Sequence, residues 1–210
     1  MRRRRTVTRG PGRAGAAAAA LSLLAVVSLA GCGGSSDGTA EPATVSQPSS
    51  VGRTSSDRTC PQLDRAQPRD DGLPDLELPC LDDGPAVNLA DLRGTPTVLN
   101  VWAAWCTNCD REMPLFADAM ERAGSELRFF GVHYKATRDQ GRASEDDFGV
   151  PFPSAHDGDG DLTVARLRAT APPQTFFVSA DGKVVGRKVG EITSQEELDG
   201  LVERYLGVRL

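Results

Sequence analysis

The chain has 210 residues, with 24 basic side chains, 29 acidic side chains and five cysteines. This length allows one domain or at most two. The formal net charge of −5 argues against nucleic acid as a partner, because binding to a phosphate backbone requires an excess of basic side chains.

Residues 1–31 have the pattern of an export signal. Six arginines and no acidic residue precede an apolar, alanine-rich run at 14–30. That run is short for a bilayer helix, which needs about 20 apolar residues, so an uncleaved anchor is only the alternative interpretation. The sequence LAGC at 29–32 resembles the lipobox of bacterial lipoproteins. The resemblance implies cleavage before Cys32 and lipid attachment to Cys32, on the outer face of the bacterial cell membrane.

Two features of this region bear on export and charge. Four consecutive arginines leave open whether the chain uses the general or the twin-arginine export route. Removal of residues 1–31 would leave 18 basic and 29 acidic residues, a formal charge of −11, which strengthens the case against nucleic acid.

Residues 32–59 are rich in Ser, Thr, Gly and Pro and nearly free of large apolar side chains. Such a segment cannot bury enough apolar surface to fold, so we expect a flexible tether. A flexible chain of this length spans about 30 Å, enough to hold a domain clear of a membrane. Residues 60–210 then form one folded domain.

The folded part has the pattern of helices packed on a central mixed sheet. Two short apolar runs within 73–92 predict a hairpin, and the continuous apolar run at 96–105 predicts a buried strand. A helix is expected after Cys109, and a further strand at 127–134. A strand, an Asp-Gly turn and a second strand are expected at 175–190, followed by a helix with Ser194 as its N-cap.

The sequence WAAWCTNCDREMP at 102–114 holds the candidate reactive centre. Two cysteines at positions i and i+3 of a helix N-terminus bring their sulfurs within bonding reach, and the helix dipole favours a thiolate at the outer one, Cys106. Cys109 would then be the resolving thiol. An inert disulfide and half of a zinc site are the alternatives, but a four-cysteine zinc site needs a second close pair, and Cys60 and Cys80 are 20 residues apart.

These residues resemble the thioredoxin superfamily, and in particular its TlpA/ResA-like membrane-tethered thiol-disulfide oxidoreductases. The similarity lies in NLADLRGTPTVLNVWAAWCTNCDREMP at 88–114 and in PPQTFFVSADGKVVGRKVG at 172–190. It implies an α/β thioredoxin fold with an N-terminal β-hairpin extension and helices around a central mixed sheet. The dipeptide Thr107-Asn108 departs from the proline-containing pairs that are commoner in the family, which leaves the reduction potential open.

The resemblance also implies roles for single residues. Pro173 takes the position of the family's cis-proline, and Trp105 flanks the active site. Glu112 takes the position of an acid that exchanges protons with the buried sulfur, although a solvated surface glutamate is the alternative. Asn100 and Pro114 match structural positions of the family.

The function implied is disulfide exchange with protein substrates outside the cytoplasm, with a membrane thiol-disulfide partner as electron donor or acceptor and without a cofactor. The resemblance favours reduction, for instance of the haem-site cysteines of apocytochrome c. A disulfide-introducing oxidase is the alternative, since the potential decides the direction. A copper-binding assembly factor on the same fold is a further, less favoured alternative, because such a factor usually needs a distal histidine that the sequence does not place. The motif differs from that of a peroxidase.

The remaining cysteines, Cys60 and Cys80, predict a structural disulfide between the tether and the hairpin, because spare thiols pair in an oxidising compartment. A second redox relay pair is the alternative. His133 and His156 are interpreted as structural or surface histidines. The run DGDGD at 157–161 does not fit a calcium loop, because Leu162 and Arg168 stand at the sixth and twelfth positions, where such a loop has Gly and Glu. The run predicts a turn before a helix.

Overall fold

The structure, a computed structural model, describes residues 58–210. The predicted signal at 1–31, the lipidation site Cys32 and all but the last two residues of the predicted tether lie outside the described residues. Within 58–210 seven strands and three α-helices follow in this order: β1 Glu77–Leu78, β2 Val87–Asn88, β3 Thr97–Trp102, α1 Thr107–Ala123, β4 Arg128–Tyr134, α2 Arg138–Phe148, β5 Ser154–Asp157, β6 Gln174–Val178, β7 Val184–Val189 and α3 Gln195–Leu206.

Five strands form one mixed sheet in the order β5-β4-β3-β6-β7. Strand β3 runs parallel to β4 and antiparallel to β6, β4 runs parallel to β5, and β6 runs antiparallel to β7. All six residues of β3 are buried, as expected for a strand covered on both faces. Strands β1 and β2 pair separately as an antiparallel hairpin. The predicted central mixed sheet and N-terminal hairpin are therefore confirmed.

The three helices flank this sheet and each begins at a side-chain cap. The N-caps Cys106, Thr137 and Ser194 each accept a hydrogen bond from a main-chain N–H three residues later, which satisfies one of the free donors of a helix start. Aromatic side chains join the layers: Phe116 of α1 packs against Phe129 of β4, with ring centroids 6.2 Å apart.

The stretch between β4 and β6 contains one strand that the sequence did not predict. Strand β5 has only four residues, two of them ionisable, so its pattern carries no apolar alternation. After β5 the Asp157 carboxylate accepts hydrogen bonds from the N–H groups of Gly160 and Thr163. This turn leads into a short π-helical turn at Thr163–Leu167, so the acidic run forms a turn before a helix, as predicted.

The chain before β3 also contacts the outer strands of the sheet. On the β7 side Gly72 pairs with Lys183, and the N–H of Val184 donates to the carbonyl of Asp71 at 2.9 Å. On the β5 side Cys80 pairs with Ala155. The segment at 71–81 therefore reaches both edge strands.

Among residues 58–210, no helix has both the length and the apolar character that a membrane crossing requires.

Candidate active site

The Cys106–Cys109 disulfide joins the residue before α1 to the first turn of α1, and its Cα atoms are 5.3 Å apart. The turn is closed by a hydrogen bond from the N–H of Cys106 to the carbonyl of Ala103 at 3.0 Å. Cys106 is the N-cap of α1, and its Sγ accepts the N–H of Cys109 at 3.1 Å. A thiolate at Cys106 would therefore receive a main-chain hydrogen bond and the positive end of the helix dipole, both of which stabilise it.

Glu112 lies one turn after Cys109 on the buried side of α1 and is fully inaccessible to solvent. Its carboxylate accepts hydrogen bonds from Asn100 Nδ2 at 2.9 Å and from the N–H of Ile192 at 3.0 Å. Burial raises the pKa of Glu112 to about 7, against the opposing effect of the two hydrogen bonds. The alternative of a solvated surface glutamate is therefore wrong, and this carboxyl can hold or release a proton near neutral pH.

Trp105 precedes Cys106 and is 56% exposed. Its indole N–H donates to the carbonyl of Lys135 at 3.0 Å, and its ring centroid lies 6.2 Å from that of Tyr134. Lys135 has a φ of 58°, in the left-handed region. Trp105 also borders a surface cavity of about 260 Å³ whose other lining residues are Ala104, Ala136, Gln140, Ala143 and Ser144. An apolar surface thus flanks the disulfide.

The peptide bond between Pro172 and Pro173 is cis. Strand β6 begins directly after Pro173, and its first residue, Gln174, pairs with Val101 near the end of β3. Pro173 therefore lies at the same end of the sheet as the turn that leads to Cys106. The structure brings Trp105, the cysteine pair, Glu112 and the proline loop to this end.

Cys60 and Cys80 form a second disulfide, with Cα atoms 5.9 Å apart. Both residues are buried. The N–H of Cys60 donates to the carbonyl of Asp83 at 2.9 Å, and the Cys60 Sγ lies 3.5 Å from the carbonyl of Ser154 at the start of β5. This bond joins the first described residues to the segment that precedes the hairpin turn and to the edge of the sheet.

His133 and His156 contact each other. Their Nδ1 atoms are 3.1 Å apart and their rings are stacked with an interplanar angle of 15°. Burial, followed by the charge of His156, lowers the pKa of His133 to about 4, so the neutral imidazole is favoured. His133 also packs on Trp102, 4.7 Å between centroids, which fits a structural role.

Within the described part of the chain, no group of three or more His, Cys, Asp or Glu side chains is arranged to hold a metal ion.

Several groups at the site could not be found from sequence. The N–H of Ile192 binds Glu112 through the main chain, so no side-chain pattern marks it. The same holds for the carbonyl of Lys135 under Trp105. Asn100 was interpreted as structural, yet its amide binds the Glu112 carboxylate directly; the polar residue inside an otherwise apolar strand was the available signal.

Comparison with known proteins gives a family and a set of relatives. Residues 70–187 match the model of the AhpC/TSA family. The thiol:disulfide interchange protein DsbE of Pseudomonas fluorescens biotype C is 31% identical over 134 residues, which covers 63% of this chain and 73% of that protein. DsbE of Allochromatium vinosum is 33% identical, with 66% and 77% covered. The thiol-disulfide oxidoreductase ResA of Bacillus anthracis is 28% identical, with 58% and 70% covered.

Solved structures of similar proteins have the same fold. A secreted Mycobacterium tuberculosis disulfide oxidoreductase homologous to Escherichia coli DsbE aligns with a TM-score of 0.54 and 25% identity, covering 62% of this chain and 96% of that one. The DsbF protein of the same organism, in mixed oxidised and reduced forms, aligns with a TM-score of 0.55 and 27% identity, covering 63% and 98%.

Proposed function

The chain belongs to the AhpC/TSA family of thioredoxin-like proteins and is a thiol-disulfide oxidoreductase of the DsbE and ResA type, and from this premise we propose that it is an extracytoplasmic reductase of protein disulfides. The reacting pair in this proposal is Cys106 and Cys109. A single observation carries it: the disulfide at the N-terminus of α1 lies one helical turn from a fully buried carboxyl, Glu112, whose pKa of about 7 suits proton exchange at neutral pH.

The first step is attack on the substrate. In the reduced protein the Cys106 thiolate attacks one sulfur of a substrate disulfide and forms a mixed disulfide, and the other substrate sulfur leaves as a thiolate that takes a proton from solvent. The Cys109 N–H that faces the Cys106 sulfur stabilises the attacking thiolate.

The second step is resolution. The Cys109 thiol gives its proton to the Glu112 carboxylate, and the resulting thiolate attacks the Cys106 sulfur. The Cys106–Cys109 bond forms, the mixed disulfide breaks, and the second substrate thiolate leaves and is protonated. Two electrons have passed from the protein dithiol to the substrate, and a membrane thiol-disulfide partner must restore the dithiol.

Substrate docking uses the surface around the disulfide. The residue before the cis-proline in thioredoxin-like proteins pairs through its main chain with an incoming polypeptide, but Pro172 has no N–H to donate. Docking then loses one main-chain hydrogen bond, on the order of 1 kcal/mol. Contacts with Trp105 and its neighbouring cavity would provide more of the binding, which favours a narrow set of substrates such as the haem-site cysteines of apocytochrome c.

An oxidase that introduces disulfides is the second candidate, because the same geometry works in reverse. A redox titration of the full chain in glutathione buffers decides between them. A reductase is expected to have a potential at or below about −220 mV, whereas a value near about −120 mV is that of a strong oxidase. The Cys106→Ser variant is the control. It cannot form the Cys106–Cys109 disulfide, so any titration that it still shows comes from Cys60 and Cys80 and is subtracted.

The role of each cysteine is tested by trapping. Cys109→Ala is expected to accumulate mixed disulfides with exported proteins, because the resolving thiol is gone, and the double variant with Cys106→Ser is expected to accumulate none. Equal trapping by Cys106→Ser alone would contradict the assignment of Cys106 as the nucleophile.

A further inference from the structure

A short segment between β7 and α3, residues 190–194, covers the buried carboxyl of the site. The N–H of Ile192 donates to Glu112 Oε2 at 3.0 Å, and the Ile192 side chain is itself buried. Solvent can reach Glu112 from this side only if the segment moves away. The position of the segment therefore determines how well Glu112 is shielded from water.

The Arg111 side chain of α1 forms an ion pair with Glu191 in this segment. The Arg111 guanidinium donates from Nε to Glu191 Oε1 at 2.9 Å and from Nη2 to Glu191 Oε2 at 2.6 Å. The same Nη2 donates to the side-chain carbonyl of Asn108 at 2.8 Å. Two parallel N–H···O bonds fix the orientation of both groups. Arg111 thus connects the dipeptide between the cysteines with the residue next to Ile192.

The two ends of the 190–194 segment are held by other contacts. The N–H of Gly190 donates to the carbonyl of Pro173 at 3.0 Å, and the N–H of Thr193 donates to Glu197 Oε2 at 2.9 Å. Breaking the central side-chain pair would free the middle of the segment while these two end contacts remain.

The charged groups that face Glu112 from the neighbouring elements are few. They are Glu191 from the 190–194 segment, which is paired with Arg111 of α1, and Glu197 from α3, which is paired with Lys188 of β7. Burial is the main cause of the raised pKa of Glu112, and the charges of Glu191 and Glu197 add to it. Strand β3 contributes the uncharged Asn100, which also donates to Thr175 of β6.

We propose that Arg111 and Glu191 are a positioning pair that holds the 190–194 segment over Glu112 and thereby controls proton transfer between Cys109 and Glu112 during resolution. The inference rests on the role of Glu112 in the proposed function. Neither Arg111 nor Glu191 contacts the reacting sulfurs in this scheme; both act through the Ile192 N–H and the exclusion of water from the Glu112 carboxyl.

The first experiment measures the segment directly. Amide hydrogen exchange at Ile192 in the oxidised full chain reports its hydrogen bond to Glu112. Arg111→Gln and Glu191→Gln are each expected to speed this exchange, by at most about fivefold because solvent screens an exposed ion pair. Arg122→Gln is the matched control, because Arg122 on the same helix makes a similar two-bond pair with Asp199 away from Glu112.

The second experiment measures resolution. A symmetrical chromogenic aromatic disulfide releases one aromatic thiolate when Cys106 of the reduced protein attacks it, and a second when Cys109 attacks the mixed disulfide. The Cys109→Ala variant gives the first phase alone. The rate of the second phase is expected to rise with pH through an inflection near 7, where Glu112 loses its proton, and Glu112→Gln is expected to lack this inflection.

Loss of the positioning pair should move that inflection. Freed from the segment, Glu112 gains water and loses the Ile192 N–H hydrogen bond. Because burial, which raises the pKa of Glu112, outweighs that bond, which lowers it, the inflection is expected to fall by roughly half a pH unit in both Arg111→Gln and Glu191→Gln. The double variant is expected to show the same shift as either single variant, because both act through one contact. Arg122→Gln should match the wild type.

Three results would overturn the inference. An unchanged Ile192 exchange rate in both single variants would mean that the pair does not hold the segment. Shifts of opposite sign, down in Glu191→Gln and up in Arg111→Gln, would mean that the two charges act on Glu112 directly. An inflection that persists in Glu112→Gln would remove Glu112 from the proposed mechanism as well, a result distinct from the other two.

Discussion

Within residues 58–210, two fully buried carboxyl groups have pKa values near neutrality, and their surroundings differ. Glu112 lies beside the redox pair, whereas Glu145 of α2 lies near Arg58, 3.7 Å from the guanidinium Nε, and close to Asp82. Burial, followed by the charge of Asp82, raises the pKa of Glu145 to about 8, and the charge of Arg58 opposes the shift. Burial is thus the main cause of both raised pKa values, which in our proposal gives a proton-exchanging group at one site and a pH-dependent contribution to stability at the other.

Glu145→Gln is expected to make the protein more stable at neutral and alkaline pH. The unfolded chain ionises Glu145 near its ordinary pKa of 4.5, but the folded chain keeps the proton up to about pH 8, so stability is lost as pH rises through this window. Glutamine cannot ionise in either state. Urea unfolding should show a variant about 4 kcal/mol more stable than the wild type at pH 8 and equal to it at pH 4.

The control for this prediction is Glu121→Gln, which changes an exposed glutamate of α1. Its unfolding free energy is expected to follow the wild-type curve. A constant difference between Glu145→Gln and the wild type at every pH would contradict the prediction, because only an ionisation gives a difference that grows between pH 4 and pH 8.

At the level of helices and strands, sequence reasoning succeeds where the pattern is local. Three predicted features are each encoded by a few adjacent residues: the apolar run of β3, the Asp-Gly turn before β7 and the Ser194 cap of α3. Strand β5 was not predicted, because four residues that include His156 and Asp157 become a strand only through pairing with β4.

At the candidate site, too, local motifs mark some residues, whereas other contacts join residues that are far apart in the sequence. The cysteine pair, Trp105 and Pro173 were identified from their motifs, whereas the hydrogen bond from the Ile192 N–H to Glu112 joins groups 80 residues apart through the main chain. The Arg111 pair with Glu191 spans the same separation. Contacts of this kind depend on how α1 and the segment before α3 pack, and no spacing within the sequence encodes them.

The double variant Cys60→Ala/Cys80→Ala is expected to lose about 3 kcal/mol of unfolding free energy. The disulfide closes a loop with a sequence separation of 20, and the chain-entropy model gives this value for a loop of that size. Disulfide exchange through Cys106 and Cys109 should persist under conditions in which the variant stays folded. Urea unfolding and reduction of a model disulfide measure the two properties.

Each single variant is the control, because either substitution breaks the same bond. The double variant should therefore lose no more stability than the less stable single variant. Loss of exchange activity in a folded double variant would contradict the structural role and support the alternative of a second redox relay pair.

For the whole molecule, the sequence outside the described residues determines where the chemistry would take place. The export signal at 1–31 and the tether at 32–59 are predictions from composition, and the resemblance of LAGC to a lipobox predicts Cys32 as the lipid attachment site. Attachment through a tether with a span of about 30 Å would leave the disulfide free to meet substrates and a membrane partner.

Cys32→Ala is expected to release the protein from membranes, because no acyl chains can then be attached. Membrane fractionation of cells that express each form, with mass spectrometry of the mature N-terminus, measures the effect. Ser35→Ala, a substitution just after the lipobox, is the control and should stay with the membrane. A mature N-terminus other than Cys32, without the mass of a lipid, would contradict the prediction.

The contacts of the 71–81 segment with both edge strands have a consequence for how the protein behaves at high concentration. Open strand edges invite pairing with other chains and so promote aggregation. Here Lys183 and Val184 on one edge and Ala155 and His156 on the other are already paired with the protein's own chain. Cys80 makes the contact with β5, and its disulfide bond to Cys60 restrains Cys80 in that position. The N-terminal extension thus covers part of each sheet edge against strand addition, and its loss would leave the catalytic domain more prone to self-association.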